Sequence, residues 1–228
     1  LGAHVQDNLD HVMENRARVM EALGAPDTPV IVPNQVHGTT IVDINSASAA
    51  QLVAAQQRAQ AGADALAVSV PGVAALLCFA DCTPVIIVSP TGRFVVAHAG
   101  WRGVAGNIAV LSAQRLAQAD GACCPDQVRA NLGGYNVYIG PHIHACHFEV
   151  GQDVADTFRS QFGASCIEGQ RHVSMLDALR TSLVAAGVDA ARICDAGICT
   201  QCNSQAYYSY RASGGTCGRH GAVAFRKA

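Results

Sequence analysis

The stretch PVIIVSPTGRFVVAHAGWRGVAGNIAVLSAQRLAQA, residues 84–119, decides between the fold classes open to this chain. Two β-branched runs, PVIIVS (84–89) and RFVVAHA (93–99), are joined through SPTG, a turn sequence that predicts an antiparallel hairpin. The chain then passes through GWRGVAG into NIAVLSAQRLAQA, where apolar residues recur at three and four positions. That order predicts strand, glycine-rich turn, helix. A hairpin running directly into an amphipathic helix is the signature of a mixed unit with antiparallel pairing.

Working outward, ALAVSV (65–70) and VAALLCF (73–79) are separated by Pro71 and Gly72 and predict a second hairpin. Further upstream lie the β-branched runs VIVPNQV and TTIVDI, and an Ala/Gln-rich segment (46–61) readable as helix or surface loop. Residues 7–23 place Leu9, Val12, Arg16, Val19, Met20 and Leu23 near helical spacing, with Gly24 and Pro26 as a stop. Downstream the mixture repeats: VYIG, a helix near 151–162, a helix near 174–186 opened by Ser174 and closed by Gly187, then RICDAG, YYSYR and AVAFR as strands. No repeat, linker or low-complexity tract divides the chain. The expectation is α+β: one mixed α/β domain over residues 1–228, with mostly antiparallel or mixed sheets.

Half of the 228 residues are apolar, enough for a substantial core, and 15 basic against 17 acidic residues are scattered without runs. Nothing in that charge pattern is a footprint for nucleic acid or a membrane surface. The opening LGAHVQDNLDHVMENR is too polar for a signal sequence, so a cytoplasmic location is expected; starting at Leu1 rather than Met leaves room for residues upstream. Ten cysteines in a chain this long point to reduced thiols rather than a disulfide framework.

Three polar residues stand at the ends of apolar runs: His37 after VIVPNQV, Cys82 after ALLCFAD begins to turn, and His98 within VVAHAG. Strand ends let side chains converge while the strands hold them rigid. Two imidazoles and a thiolate suit zinc with a fourth position left open, although ligands this far apart match no short zinc signature. Spacing alone leaves separate core and surface roles open. Asp81 is the candidate acid–base group, or a carboxylate that orients a ligand. Gly100, Gly103 and Gly106 with Arg102 could hold a phosphate, or serve a turn; Arg211 and Arg219 are candidates for substrate anions, or for surface pairing.

Two further groups invite a metal. In PHIHACHFE an extended backbone would turn His142, His144 and Cys146 to one face and His147 to the other, so one ion could not take all four without a bend, and a place on the active-site rim or the surface is the expected role. Cys199 and Cys202 form a single C-x-x-C, with Cys194 upstream, which without a second pair is weak evidence for redox or zinc chemistry.

The sequence resembles the YfiH-like family, whose members are labelled laccase-domain or polyphenol oxidase. The matching pieces run in family order: LGAHVQD, QVHG (35–38), ADCTPVII (80–87), VAHAGWRG (96–103), IGPHI with CHFEVG (139–151), ICT (198–200), YSYR, and GR at 218–219. Cys199 falls in the CT motif, whereas Cys202 and Cys217 look peculiar to this chain, and GGTCGR is longer than the family's turn before Arg219. The resemblance implies that His37, Cys82 and His98 are zinc ligands, with one zinc per chain. It implies phosphorolysis of purine nucleosides (adenosine, inosine, guanosine, methylthioadenosine) and hydrolytic deamination of adenosine, so nucleosides and phosphate are the expected partners. An older family label, copper-dependent phenol oxidation, makes copper the alternative metal; multicopper oxidases, however, need repeated HxH pairs, and this chain has one. Two more functions stay open: a cysteine hydrolase, with Cys82 activated by His98, and a metal-binding protein without turnover.

Overall fold

The computed structural model describes residues 1–5 and 7–227. The first half runs through helix α1 (Leu9–Ala22), strands β1 (Val30–Ile31) and β2 (Ile41–Ile44), helix α2 (Ala49–Gln60), and strands β3 (Ala65–Val68), β4 (Ala74–Phe79), β5 (Thr83–Val88) and β6 (Phe94–Ala99). The second half holds α3 (Trp101–Ala105), α4 (Ile108–Ala119), α5 (Pro125–Leu132), β7 (Asn136–Ile139), α6 (Gln152–Phe162), β8 (Ile167–Glu168), β9 (His172–Val173), α7 (Met175–Ala186), β10 (Ile193–Asp195) and β11 (His220–Phe225).

A six-stranded sheet in the order β10-β7-β5-β6-β3-β2 forms the centre. Its outer pairs, β10 with β7 and β2 with β3, are parallel, and the inner pairs are antiparallel. A three-stranded sheet, β1-β4-β11, lies beside it with β4 antiparallel to β11 and parallel to β1. The period-two alternation of strands sorts the side chains between layers. Ala65, Ala67, Val95 and Ala97 face a core built with Ile108, Leu116, Phe158 and Leu179 of the helices. Leu66, Val68, Phe94 and Val96, on the opposite face, pack on Ala75, Leu77 and Phe79 of β4. Helix α1 covers the far side of the small sheet through Met20, against Ala74, Val30, Val223 and Phe225. The layers are therefore helix, large sheet, small sheet, helix.

The predicted hairpin over 84–99 is present, with β5 and β6 in register from Thr83↔Ala99 to Val88↔Phe94 and Gly92 at φ 80° in the turn. The second predicted hairpin is not. β3 pairs with β2 and β6, whereas β4 pairs with β1 and β11, so Pro71 and Gly72 carry the chain between sheets. Both strands are buried on both faces, and a continuous apolar run does not say which sheet it joins. The Ala/Gln-rich segment is helix α2. YYSYR is turn rather than strand, VIVPNQV is strand only at Val30–Ile31, and α5 lies in a segment not assigned from sequence. The helix starts and stops follow local chemistry: Asn8 accepts from the N–H groups of Asp10 and His11, Ser174 accepts from Asp177, and Gly24 and Gly187 close α1 and α7 with positive φ. None of the ten cysteines is in a disulfide.

Candidate metal centre

The centre is assembled from one end of both sheets. Gln35 docks its amide on β4, donating to the carbonyl of Cys78 at 2.8 Å and accepting from the Cys78 N–H at 2.8 Å. The following loop then presents His37 in the left-handed region, φ 60°. That conformation is uncommon for a side-chain-bearing residue and needs support. Asp64, fully buried just before β3, supplies it by accepting from the N–H groups of Val36 (3.3 Å), His37 (2.9 Å) and Gly38 (2.7 Å).

The same carboxylate takes the Nδ1 position of His98 at 2.8 Å. His98 lies in β6 opposite Pro84, and Cys82 precedes that register by two residues, so strand pairing brings thiol and imidazole together. The donor atoms of His37, Cys82 and His98 all lie within 4.8 Å of one another, and the rings of His37 and His98 meet edge to face with centroids 4.8 Å apart. His37 is exposed, Cys82 half-buried and His98 buried, which leaves one side of the trio open to solvent.

Burial raises the Cys82 thiol, but hydrogen bonds from His37 and His98 outweigh it and hold the thiol at about 6. Burial lowers His98, and Asp64 and Cys82 outweigh that to lift the imidazole to about 9. Asp64 itself stays below the ordinary carboxylate value, because the His98 ring and the N–H groups of Gly38 and His37 overcome the effect of burial. With Asp64 on Nδ1, the nitrogen His98 has left for the centre is Nε2, the arrangement in which a carboxylate orients a metal-binding imidazole. Gly100 completes the fit. A Cβ there would stand 3.0 Å from His37 Cδ2 and 3.2 Å from Cys82 Sγ, so a side chain would crowd the donors.

The remaining sequence candidates divide. Asp81, at φ 82°, has both carboxylate oxygens engaged: one accepts from Thr200 Oγ1 at 2.6 Å, the other from the Arg211 N–H at 2.7 Å. Its geometry is that of an anchor for the 199–211 segment, rather than of an acid–base group facing the trio. Gly103 is buried in α3, where a Cβ would meet Gly38 O at 3.3 Å and His98 O at 3.4 Å, so it lets the helix pack closely on the strand and the His37 loop. Arg102 is exposed and lies over the Trp101 ring at 4.5 Å. Arg211 donates to the carbonyls of His147 (3.2 Å) and Glu149 (3.1 Å). Arg219 lines a cleft of ≈ 230 Å³ with His4, Gly215, Thr216 and Cys217. Burial lowers the His4 imidazole, and the nearby guanidinium groups of Arg219 and Arg16 lower it further. Asp64 is not singled out by the sequence. Its one signal there is a lone carboxylate opening the apolar run ADALAV, where burial demands a partner.

Residues 1–227 match the family described as multi-copper polyphenol oxidoreductase laccase. The chain belongs to this family. Among its laccase-like relatives, it is 32% identical to the purine nucleoside phosphorylase YlmD of Geobacillus stearothermophilus, over 96% of this chain and 80% of that protein. It is 31% identical to the adenosine deaminase RL5 of an unknown prokaryotic organism, over 98% and 85% of the two chains. The crystal structure of YlmD from Geobacillus stearothermophilus superposes with a TM-score of 0.84 at 33% identity, covering 100% of this chain and 84% of the other. That of the hypothetical protein YfiH from Bacillus licheniformis gives 0.86 at 28% identity, covering 99% and 85%. The mixed α/β architecture is thus shared with solved members, and the family description and the Cys/His trio agree on metal binding.

Proposed function

We propose that this chain is a zinc-dependent purine nucleoside enzyme, which cleaves adenosine, inosine, guanosine and methylthioadenosine with phosphate and deaminates adenosine with water. The observation that carries the proposal is the convergence of His37, Cys82 and His98 over Asp64, in a chain whose relatives are named for both activities. His37, Cys82 and His98 would hold the ion, and two imidazoles with one thiolate fit zinc with a position open to reactants. Bound there, zinc would supply Lewis acidity toward an oxygen nucleophile near neutral pH.

The chain's own groups do the rest. Asp64 fixes the His98 tautomer, Gly100 keeps the face clear, and Arg219 offers an anion a guanidinium in its cleft, with Arg102 as a further exposed cation. In phosphorolysis a phosphate oxygen bonds to C1′ as the bond from C1′ to the base breaks, and the base leaves with the electron pair and takes up a proton. In deamination the oxygen of water bonds to C6 and ammonia departs. Both reactions use small soluble reactants, no described helix is long and apolar enough to cross a membrane, and we place the enzyme in the cytoplasm as one domain over residues 1–228.

The copper-oxidase description fits the donors less well. A type 1 copper and a trinuclear cluster need many imidazoles, whereas among the described residues the two gathered donor clusters hold two histidines and one. One observation favours a cysteine-hydrolase reading: the line from Asp64 through His98 to Cys82, whose thiol is low enough to be ionised at neutral pH.

Protein of known metal content, incubated with adenosine, inosine and methylthioadenosine with and without phosphate, tests the proposal. Free base and a ribose 1-phosphate are expected only when phosphate is present, and inosine with ammonia from adenosine without it. Failure of zinc-loaded protein to turn over any nucleoside overturns the reading. Iodoacetamide separates out the hydrolase: slow modification of Cys82 in zinc-loaded protein, mapped by peptide mass, supports a zinc ligand, and rapid inactivation regardless of metal supports a nucleophile.

A further inference from the structure

Between β10 and β11 the chain runs from 196 to 219 without a helix or strand. Connections of that length inside a compact fold are uncommon and need their own tether. The first fastening is an isolated bridge between Cys199 and His142, with His142 N donating to Ile198 O at 3.2 Å and Thr200 N to His142 O at 3.0 Å. It sets the CTQC turn, residues 199–202, against the 142–147 segment.

That segment bends. His147 N and Phe148 N both donate to the carbonyl of His144, at 3.0 and 2.9 Å, so the extended backbone that would separate Cys146 from His147 is replaced by a turn. His142 stays behind, buried with Nδ1 on Gly140 O, and Cys146 and His147 swing toward Cys199 and Cys202.

We infer that Cys146, His147, Cys199 and Cys202 form a second zinc site, structural in role, which shares no residue with the His37, Cys82 and His98 centre and fastens the 196–219 segment to the 142–147 turn. The distances fit one tetrahedral ion. Zinc bonds of about 2.3 Å to sulfur and about 2.0 Å to nitrogen put tetrahedral sulfurs about 3.8 Å apart and sulfur about 3.5 Å from nitrogen. Cys146 Sγ lies 3.9 Å from Cys199 Sγ and 3.8 Å from Cys202 Sγ. His147 Nδ1 lies 3.2, 3.8 and 3.4 Å from the sulfurs of Cys146, Cys199 and Cys202. All four donor atoms fall within 4.8 Å of one another, and the sulfurs are well outside disulfide bonding distance.

The surroundings suit a thiolate cluster. The His144 N–H points at Cys199 Sγ at 3.4 Å, a contact that stabilises negative sulfur. Three ionised thiols this close repel one another, and a dication between them removes the repulsion. Three sulfurs and one imidazole fill four positions with protein, the mark of a closed structural site rather than a catalytic one.

The inference does not depend on the nucleoside reading, and metal content tests it without an assay of activity. Wild-type protein purified under reducing conditions is expected to carry close to two zinc ions per chain, with about two sulfurs per zinc by X-ray absorption, the mean of a one-thiolate and a three-thiolate site. The double variant His37→Ala, Cys82→Ala is expected to keep one zinc with three sulfurs, and Cys146→Ser or Cys202→Ser in that background to lose it. One zinc with a single sulfur in the wild type, no zinc in a folded double variant, or iron or copper in place of zinc overturns the inference. One zinc with three sulfurs in both wild type and double variant would instead sink the His37, Cys82 and His98 assignment and leave this one standing. The wild-type measurement decides the matter even where a variant fails to fold.

Discussion

The Asp64 carboxylate accepts from three successive backbone N–H groups and from the His98 ring, so one side chain sets both the left-handed loop at His37 and the tautomer of His98. Asp64→Asn keeps the shape but puts amide hydrogens where two donors already point, and it withdraws the charge that orients His98. Loss of such an orienting carboxylate typically weakens metal binding by about 10- to 100-fold. Zinc competition against a chelator should show that drop with His37, Cys82 and His98 intact; unchanged affinity would mean that the three donors orient themselves. His37, Cys82 and His98 were legible in the sequence because polar residues at the ends of apolar runs are exposed to notice, and the family motifs tied them together. Asp64 was not, since a single acidic residue at the head of a strand reads as a loop terminus until its N–H partners, 26 to 28 positions away, are seen.

At the level of elements, α3 is a short helix wedged between the His37 loop and β6, and Gly103 is where it touches both. Adding a Cβ in Gly103→Ala forces α3 away from Gly38 O, Ile108 and His98 O, and overpacking of this kind costs about 1 to 3 kcal/mol. Urea denaturation should register the loss, and the KM values for phosphate and nucleoside should shift together. A selective rise in phosphate KM with unchanged stability would restore Gly103 to an anion site. A second contact between elements lies at the end of α4, where Asp120 accepts from Thr91, Arg93 and Tyr135 and so ties α4 to the β5–β6 turn and the approach to β7. Burial would raise Asp120, but those hydrogen bonds hold it below the ordinary carboxylate value. A depressed carboxyl contributes stability that is full above its unfolded value and fades as the pH falls through its folded value. The stability difference between wild type and Asp120→Asn should therefore be constant above about pH 5 and shrink in more acid solution, as denaturation at a series of pH values can follow. A gap that persists undiminished in acid would show that the contact acts through shape alone. The β5–β6 hairpin could be read because its turn is local; the separation of β3 from β4 could not, because it depends on Leu66 and Val68 facing Leu77 and Phe79 across two sheets.

Across the whole molecule, Asp81 joins parts that the sequence leaves far apart. It follows β4, adjoins Cys82, and reaches Thr200 and Arg211 of the long 196–219 segment, while its carbonyl accepts from Ile143 at 2.9 Å. The family motifs made the sheet end and this segment recognisable separately, but the segment lacks hydrophobic period, and YYSYR carries the composition of a strand without a partner to pair with. Its path is set instead by Asp81 and by the thiols at 146, 199 and 202. If Asp81 acts by position, Asp81→Asn should lower kcat and quicken backbone hydrogen exchange over 197–219, since a hydrogen bond to a buried charged group is worth about 1.5 to 3 kcal/mol. Both limbs of the pH–rate profile should survive. If Asp81 instead transfers a proton to or from the nucleoside, the variant should lose one limb of that profile while exchange over 197–219 stays as in the wild type. The two roles move different observables, because an anchor is felt along the chain it holds and an acid–base group is felt in the pH dependence of the step it serves.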